Sequence, residues 1–488
     1  MKPTEEALDL QTYKNLFKKN ADVDFQLYTY GQYKVHFITC DSMVNLQLLN
    51  EVIVPRVQET CAQVEQTPLE KTILEKLHIP ELKILNTKEE VITKLFNGYL
   101  ILFFEDENLT FSSNISKKPN RNPEESRMEV LIKGPRDNFI EDISVNIALI
   151  RKRLPTNSLS VEKMEIGRRS KTTVAILYME DIASKEILQD ILKQLNEIDV
   201  DILFGGELLM ERVNKRSLVF PKNDYTGRPD FAMQALVRGR FLILVDGVSY
   251  VVITPVNLFL LLKAGEDIEY PVAFSTAERL LRIVGLMVGV ALPAFWLALT
   301  TFHQDQMPFQ LLATVVQNNT GLPLPSALEM LIMLIMFELF REAGLRLPSV
   351  IGGTISVVGG IIVGDAAIRA GLTSPAMIVV IAISTIATFT LVNQSLVTAV
   401  SVVRIIMILI TSFLGLFGFF VSLYLLLLYL SNIRIFGVSY MNIATDLSWA
   451  TIKKSLFRPP ATDYKDRPNS LDPQDSTRLG GAEDEKKN

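Results

Sequence analysis

The sequence predicts a two-part fold: an α/β soluble N-terminal region of two similar lobes, followed by an all-α polytopic transmembrane domain. Charged residues concentrate between residue 1 and about residue 275, whereas Ile283–Leu430 is mostly apolar. Apolar runs of about 20 residues match the hydrocarbon thickness of a bilayer and exceed what a soluble core helix needs. The mean hydropathy of +0.25 over 488 residues, at a net charge of -5, is therefore the average of two unlike parts.

The start of the chain predicts a cytoplasmic N-terminal domain. Met1–Glu6 contains no apolar stretch of the kind that a cleavable signal peptide needs. In that compartment Cys40 and Cys61 are expected to be reduced thiols, and two cysteines cannot form a disulfide framework. The three histidines lie far apart in the sequence. No metal site and no cofactor is therefore predicted.

The front region contains the same order of elements twice. A strand-like run, Val35–Asp41, returns as Val174–Glu180, and the two valines are 139 positions apart. Gly98 and Gly239 each precede a continuous apolar strand and are 141 positions apart. Glycine in that place is typical of a helix C-cap. The near-constant spacing indicates an internal duplication.

The two lobes are predicted at 1–111 and 129–270, joined by a linker over 112–128 that is rich in Ser, Asn, Pro and Lys. Continuous apolar strands that alternate with helices predict a sheet covered on both faces. Two similar lobes can hold a ligand in a cleft or act in assembly. Assembly is favoured, because no phosphate loop or charged cluster marks a cleft. No nucleophile–base set appears, so an enzyme is not expected.

The transmembrane domain is predicted over 275–435, with four to six spans. The first span, Ile283–Phe302, follows Arg279 and Arg282, which the positive-inside tendency places on the cytoplasmic side. The second span, roughly Pro325–Phe340, returns to that side. Charged residues near its inner end can neutralise one another: Arg341 is three positions beyond Glu338, and Glu342 precedes Arg346 by four.

A run rich in small residues follows, with glycine or serine at every fourth position of Val350–Gly364. Such spacing lets transmembrane helices pack closely, and it also leaves a weakly polar face that can line a water-filled path. Two further apolar runs are Ala376–Val392 and Ile405–Leu430. Five spans would place the tail opposite the front region, although Lys453 and Lys454 favour the cytoplasm. Val350–Gly364 is the candidate for an incomplete span.

The end of the chain is predicted as a membrane-proximal segment over 436–458 and a disordered tail over 459–488, which is polar, contains proline and is densely charged.

Ordered sequence blocks resemble the A subunits of GerA-type spore germinant receptors, and the resemblance covers nearly the whole chain. The blocks are Ile132–Arg136 with Phe139–Asp142, Asn146–Arg153, Lys171–Tyr178, Gly227–Asp230, Gly239–Gly247 and Phe340–Pro348. The resemblance implies a subunit of a complex in the inner spore membrane. It implies a transporter-like B subunit that binds the nutrient, a lipoprotein C subunit and a homo-oligomeric ring that conducts ions when germinant binds. No nucleic-acid partner is expected.

A channel function assigns roles to two groups of residues. The candidate pore-lining residues are Ser356, Gly359 and Gly360, with Ile362 or Val363 as an apolar constriction. The candidate pore-mouth or gating residues are Glu338, Arg341, Glu342, Arg346 and Asp365. A membrane scaffold without transport of its own and a small-solute transporter are the alternatives. The transporter is less favoured, because the sequence shows no inverted repeat.

Overall fold

The computed structural model describes residues 9–63, 69–117, 137–213, 219–346, 363–441, 452, 456–458, 460 and 466–477, with the side chains of residues 266, 268, 345 and 346 left aside. The chain divides into two compact units. The sheet unit comprises Met1–Arg216, Asn223–Pro255 and Tyr464–Asn488, and the helical unit comprises Ser217–Lys222 and Val256–Asp463.

The sheet unit contains the two predicted lobes. The first consists of α1 (Leu10–Leu16), β1 (Val23–Tyr30), β2 (Tyr33–Cys40), α2 (Leu46–Leu48), a π-helical turn (Leu49–Ile53), α3 (Val54–Ala62), α4 (Leu69–Lys76), β3 (Lys83–Ile84), α5 (Lys88–Leu95), β4 (Tyr99–Phe104) and β5 (Leu109–Asn114). The second consists of α6 (Ile143–Arg153), β6 (Leu159–Ile166), β7 (Thr172–Met179), α7 (Lys185–Asn196), α8 (Gly206–Val213), β8 (Asp224–Thr226), α9 (Pro229–Val237), β9 (Phe241–Val245) and β10 (Val251–Thr254).

The two sheets have the same topology. Their strand orders are β1-β2-β4-β5-β3 and β6-β7-β9-β10-β8, and every strand pair within them is antiparallel. Gly98 and Gly239 occupy the same place in each lobe, with φ of +87° and +88°, a conformation that favours glycine. The predicted fold of two similar sheet lobes is confirmed.

Alternate residues of β4 show why its sequence is apolar throughout. Leu100, Leu102 and Phe104 belong to one apolar core, whereas Ile101 and Phe103 belong to the core on the opposite face. Helices α3 and α4 contribute to the first core, and α1 and α5 contribute to the second. Because helices bury both faces, no position of the strand can be polar toward solvent.

A fully buried ion pair joins the two lobes. Arg151 of α6 is 0% exposed, and its Nε and Nη2 donate to the two carboxylate oxygens of Asp22, at 2.8 and 2.9 Å. Nη2 also donates to Asn20 Oδ1 at 2.9 Å, and the guanidinium lies 4.1 Å from the centre of the Phe96 ring. Such a paired and hydrogen-bonded charge fixes one arrangement of its neighbours, since separation would leave both ions buried alone.

The two cysteines are free and buried in the first lobe. Burial raises the pKa of the Cys40 thiol to about 12 and that of Cys61 to about 11. Both therefore remain protonated, unreactive thiols at neutral pH.

The helical unit consists of α10 (Leu258–Leu261), a 3-10 turn (Gly265–Ile268), α11 (Val272–Phe302), a 3-10 turn (Gln304–Gln306), α12 (Phe309–Asn319), α13 (Ser326–Arg346), α14 (363–369), α15 (Pro375–Thr388), α16 (Gln394–Asn432) and the short strands β11 (Arg434–Ile435) and β12 (Val438–Ser439). Among the described residues, α11 and α16 are long and apolar enough to cross a membrane, judged by length and composition alone.

Helix α16 reverses its direction at Gly415, whose φ of 60° and ψ of -141° are not helical. A Cβ atom placed on Gly418 would lie 2.9 Å from the carbonyl oxygen of Ile410, eight residues back. Eight residues of straight helix would rise about 12 Å. The predicted single tilted span over Ile405–Leu430 is therefore wrong, because the chain folds there into two helical halves, 394–414 and 416–432.

The two halves run in opposite directions beside α11. In the first half, Val400 lies beside Gly289, and the reversal lies beside Phe302 at the end of α11. In the second half, Phe419 packs against Phe295, with ring centroids 5.4 Å apart. The second half thus returns toward the start of α11.

Two segments differ from the predicted domain boundaries. Strand β5 continues to Asn114, inside the predicted linker. Residues 466–477, inside the predicted disordered tail, include a 3-10 turn, Asn469–Leu471, and contact the second lobe. The prediction of disorder was based on the polar composition of the whole tail. That composition does not show that one apolar residue, Leu471, is fully buried.

Candidate functional site: a charge network inside the helical unit

The first charged cluster of the helical unit lies at the start of α11. Asp267 is 1% exposed and accepts hydrogen bonds from Arg279 Nε at 2.8 Å and from Arg282 Nη1 at 2.9 Å. Arg282 also donates to the Leu262 carbonyl at 3.2 Å, and Ser275 Oγ donates to the Asp267 carbonyl at 2.7 Å. The two arginines are thus buried partners of one carboxylate, which fastens the segment before α11 to the helix.

The second cluster lies between the apolar helices α13 and α16 and joins them. Arg341 forms an ion pair with Glu338, one turn away on α13, and its Nη1 donates to Ser401 Oγ at 3.1 Å. Arg404 of α16 is 3% exposed, and its Nη2 lies 3.9 Å from Glu338 Oε2. The Glu338 carboxylate therefore pairs with two guanidinium groups. Arg404 is located about 15 Å from the beginning of α16 along the helix axis.

Arg404 extends this network to two further helices. Its Nη1 donates to Ser384 Oγ of α15 at 3.1 Å, and that hydroxyl donates to the carbonyl of Gly289 on α11 at 3.0 Å. A Cβ on Gly289 would lie 2.8 Å from Thr388 Cγ2, so glycine allows α11 and α15 to approach. An ionisable group that is buried between apolar helices, as Arg404 is, is costly, and in membrane proteins such groups usually mark a functional path.

A separate carboxylate, that of Glu329, is buried near the other end of α13. It is 2% exposed and accepts from Thr373 Oγ1 at 2.7 Å and from the backbone N–H of Ser374 at 2.6 Å. Ser374 is the N-cap of α15, so the negative charge stands at the positive end of that helix dipole. The contact fixes α13 against α15.

The structure brings together only part of the predicted gating set. Glu338 and Arg341 pair as predicted, whereas Asp365 pairs instead with Arg369 at 2.7 Å on the exposed surface. Glu342 is exposed, and the side chain of Arg346 is outside the described residues.

The predicted pore residues are described only in part. Val363 is half-buried in α14. The other four lie outside the described residues: Ser356, Gly359, Gly360 and Ile362.

Arg404 is the residue that sequence reasoning missed. It follows Ser401-Val402-Val403 and precedes Ile405, the position at which the predicted last span begins. The predicted span therefore did not include Arg404. A single arginine between two apolar stretches was the available signal, since an isolated charge in such a helix requires a partner.

The described part of the chain bears on two other kinds of site, a metal centre and a ligand cavity. No group of three His, Cys, Asp or Glu side chains there is arranged to hold a metal ion. A cavity of about 250 Å³ lies beside β6 and the end of α7, lined among others by Met164, Ile166, Leu195 and Asn196. It belongs to the second lobe alone, and the exposed Arg168–Asp199 ion pair borders it.

These features define a class: a membrane-type protein in which a duplicated sheet unit is joined to a helical unit with internal charges. Residues 11–470 match the family described as Bacillus/Clostridium GerA spore germination protein. The chain belongs to this family.

Similar proteins extend over most of the chain. Spore germination protein XA of Bacillus anthracis is 39% identical over 92% of this chain and 92% of its own length. Spore germination protein KA of Bacillus subtilis is 30% identical over 91% of this chain and 82% of its own length. The crystal structure of the N-terminal domain of the A subunit of the Bacillus megaterium spore germinant receptor GerK3 is 21% identical, with a TM-score of 0.40, and matches 52% of this chain and 97% of that domain.

Proposed function

We propose that this chain is the A subunit of a nutrient receptor in the inner spore membrane and forms an oligomeric, germinant-gated ion channel. A transporter-like B subunit and a lipoprotein C subunit are its expected partners. In this proposal the helical unit crosses the membrane several times and the sheet unit stays in the cytoplasm. Family membership along 11–470 and the names of the relatives, spore germination proteins, support the assignment.

The observation that carries the channel function is the Glu338–Arg341–Arg404 network. A scaffold can pack with apolar helices alone, and a charge buried between them, such as that of Arg404, costs stability. Here Arg404 bridges α16 to α13 and α15, so a shift of one helix changes the partners of the others. The proposed path is lined by Ser356, Gly359 and Gly360, with Ile362 or Val363 as the apolar constriction. Glu338 and Asp365 form its charged rings.

Ion flux through the purified, reconstituted receptor tests the assignment. Val363→Ala is expected to change the conductance, because it widens an apolar constriction. Val379→Ala makes the same chemical change at a side chain of α15 that is 55% exposed, and is expected to leave conductance unaltered. Equal effects of the two substitutions would remove Val363 from the pore.

The oligomeric state separates the channel from its alternatives. A closed ring that conducts ions supports the channel, and a closed ring without conductance favours the scaffold. A monomer that accumulates a small solute in vesicles favours the transporter.

A further inference from the structure

The C-terminal clip, residues 466–477, folds on itself around Arg467. The Arg467 backbone N–H donates to the Ser476 carbonyl at 2.8 Å, and its Nη1 donates to Asp475 Oδ2 at 2.6 Å. Hydrogen bonds from Thr477 and Arg467 lower the pKa of Asp475 to about 2, so its carboxylate stays ionised. Hydrogen bonds within the clip therefore hold it in one defined conformation.

The clip binds the second lobe through backbone carbonyl groups at the end of β7. The Gln474 N–H donates to the Ile182 carbonyl at 2.9 Å, and its side-chain amide donates to the carbonyls of Glu180 at 3.2 Å and Ala183 at 2.5 Å. Leu471 is 0% exposed. One glutamine therefore makes three hydrogen bonds to a single turn of the lobe.

A second contact point lies at the end of α9. Arg467 Nε donates to the Val237 carbonyl at 3.1 Å, and a Cβ on Gly239 would lie 3.9 Å from Pro473 Cβ. The clip thus covers the left-handed glycine that precedes β9.

The first lobe fills the corresponding place with its own chain. There the Met43 carbonyl, 139 positions before that of Ile182, accepts from the Lys117 N–H at 2.9 Å. A Cβ on Gly98 would lie 2.8 Å from Ser116 Cβ. Ser116 thus lies beside Gly98 in the first lobe as Pro473 lies beside Gly239 in the second. Ser116 and Lys117 in the first lobe therefore correspond to Pro473 and Gln474 in the second.

The two lobes differ in the path of the chain after β5 and β10, which are the fourth strands in the two sheet orders. In the first lobe, Ile115–Lys117 follows β5 directly and stays on the lobe. In the second lobe, β10 ends at Thr254, and from Val256 the chain belongs to the helical unit. The second lobe therefore lacks a segment of its own at this place.

We propose that the C-terminal clip is a donor segment that completes the second lobe, in a docking site that the duplication created and the chain's own tail fills. The site recognises a short peptide with a buried leucine and, three residues later, a glutamine whose amide pairs with carbonyl groups. Short peptides that bind a folded domain through main-chain hydrogen bonds are an established form of recognition. The assignment does not depend on ion conduction.

Hydrogen exchange of the purified full-length protein tests the proposal. A chain that stops after Thr477 is expected to match the full chain. A chain that stops after residue 465 is expected to exchange at least tenfold faster at the amides of Met179–Ser184 and Leu236–Arg240. A synthetic peptide of residues 466–477 added to the shorter chain is expected to restore protection, and the same peptide with Gln474→Ala to bind at least tenfold more weakly.

Point substitutions in the full chain keep the test decisive if the shorter chain does not fold. Gln474→Ala is expected to accelerate exchange in the same two segments, and Ser476→Ala, whose side chain is exposed, to leave it unchanged. Equal exchange in all variants would overturn the docking site. A disulfide between Gln474→Cys and Ala183→Cys is expected within one chain, and a cross-linked dimer would overturn the assignment of the site to the chain's own tail.

Discussion

At the residue scale, the most informative contacts are between charges far apart in the sequence. Asp22 and Arg151 meet between the lobes, and Glu338 and Arg404 meet between helices. Both cases bury a guanidinium group almost completely. A buried charge is tolerated only with partners, so each contact constrains two elements at once.

Arg151→Ala is expected to destabilise the protein by about 3–5 kcal/mol, because it leaves the Asp22 carboxylate buried and unpaired. Thermal or denaturant unfolding of the full chain measures the loss. Arg168→Ala is the control: its ion pair with Asp199 is 74% and 63% exposed, and no measurable change is expected. Similar losses in both variants would contradict the role given to burial.

Arg404→Gln is expected to abolish the nutrient response while the receptor still assembles, since the neutral amide cannot balance Glu338 across the helices. Spore germination and membrane abundance of the subunit are the two measurements. Arg169→Gln removes an arginine of the second lobe that is 79% exposed and paired with Asp201 on the surface, and a normal response is expected. A normal response from Arg404→Gln would show that the network is packing alone.

At the element scale, the reversal of α16 depends on one glycine. Gly415 adopts a conformation that side chains rarely allow, and a Cβ there would lie 2.9 Å from Phe302 Cγ. The halves on either side have 21 and 17 residues, lengths of about 32 and 26 Å. Each half is therefore near the thickness of bilayer hydrocarbon.

Gly415→Ala is expected to lower stability by about 2–5 kcal/mol, since backbone strain and a clash with Phe302 add. Gly437→Ala separates the two causes: its φ is +77° but no atom lies within 4 Å of the added Cβ, so only about 1–2 kcal/mol is expected. Thermal stability of the detergent-solubilised protein measures both. If the two substitutions cost the same, close packing at Phe302 has no part in the reversal.

At the scale of the whole molecule, the segments before and after the apolar helices meet at one end of α11. The Leu258 N–H donates to the Tyr440 carbonyl at 3.0 Å, and the Arg458 N–H donates to Thr276 Oγ1 at 3.2 Å. The last apolar run of the sequence thus forms two helical halves, which join at Gly415. The predicted incomplete span, Val350–Gly364, lies outside the described residues except for its last two positions.

Both termini are expected on the same, cytoplasmic side of the membrane. Residues 9–63 and the C-terminal clip belong to one compact unit, and the chain enters and leaves the helices at one end of α11. Reporter tags at the two ends, tested for protease access in sealed vesicles of known orientation, measure this. Protection of one tag and cleavage of the other would contradict the topology.

The sequence by itself was sufficient for features that local pattern encodes. Strand and helix periods, the glycines at 98 and 239, and the apolar runs all depend on near neighbours, so the duplication and the helical half could be predicted. The pairing of Glu338 with Arg341 was also predictable, because three positions on a helix bring side chains together.

Only the tertiary structure decided which distant residues meet. Arg404 reaches Glu338, Arg151 reaches Asp22, and Gln474 reaches Ile182, each across a separation that no period describes. The reversal at Gly415 is equally hidden, because its surroundings are as apolar as any straight span. Burial and hydrogen bonding select these contacts after the elements have packed, and a linear pattern of residue types does not contain that choice.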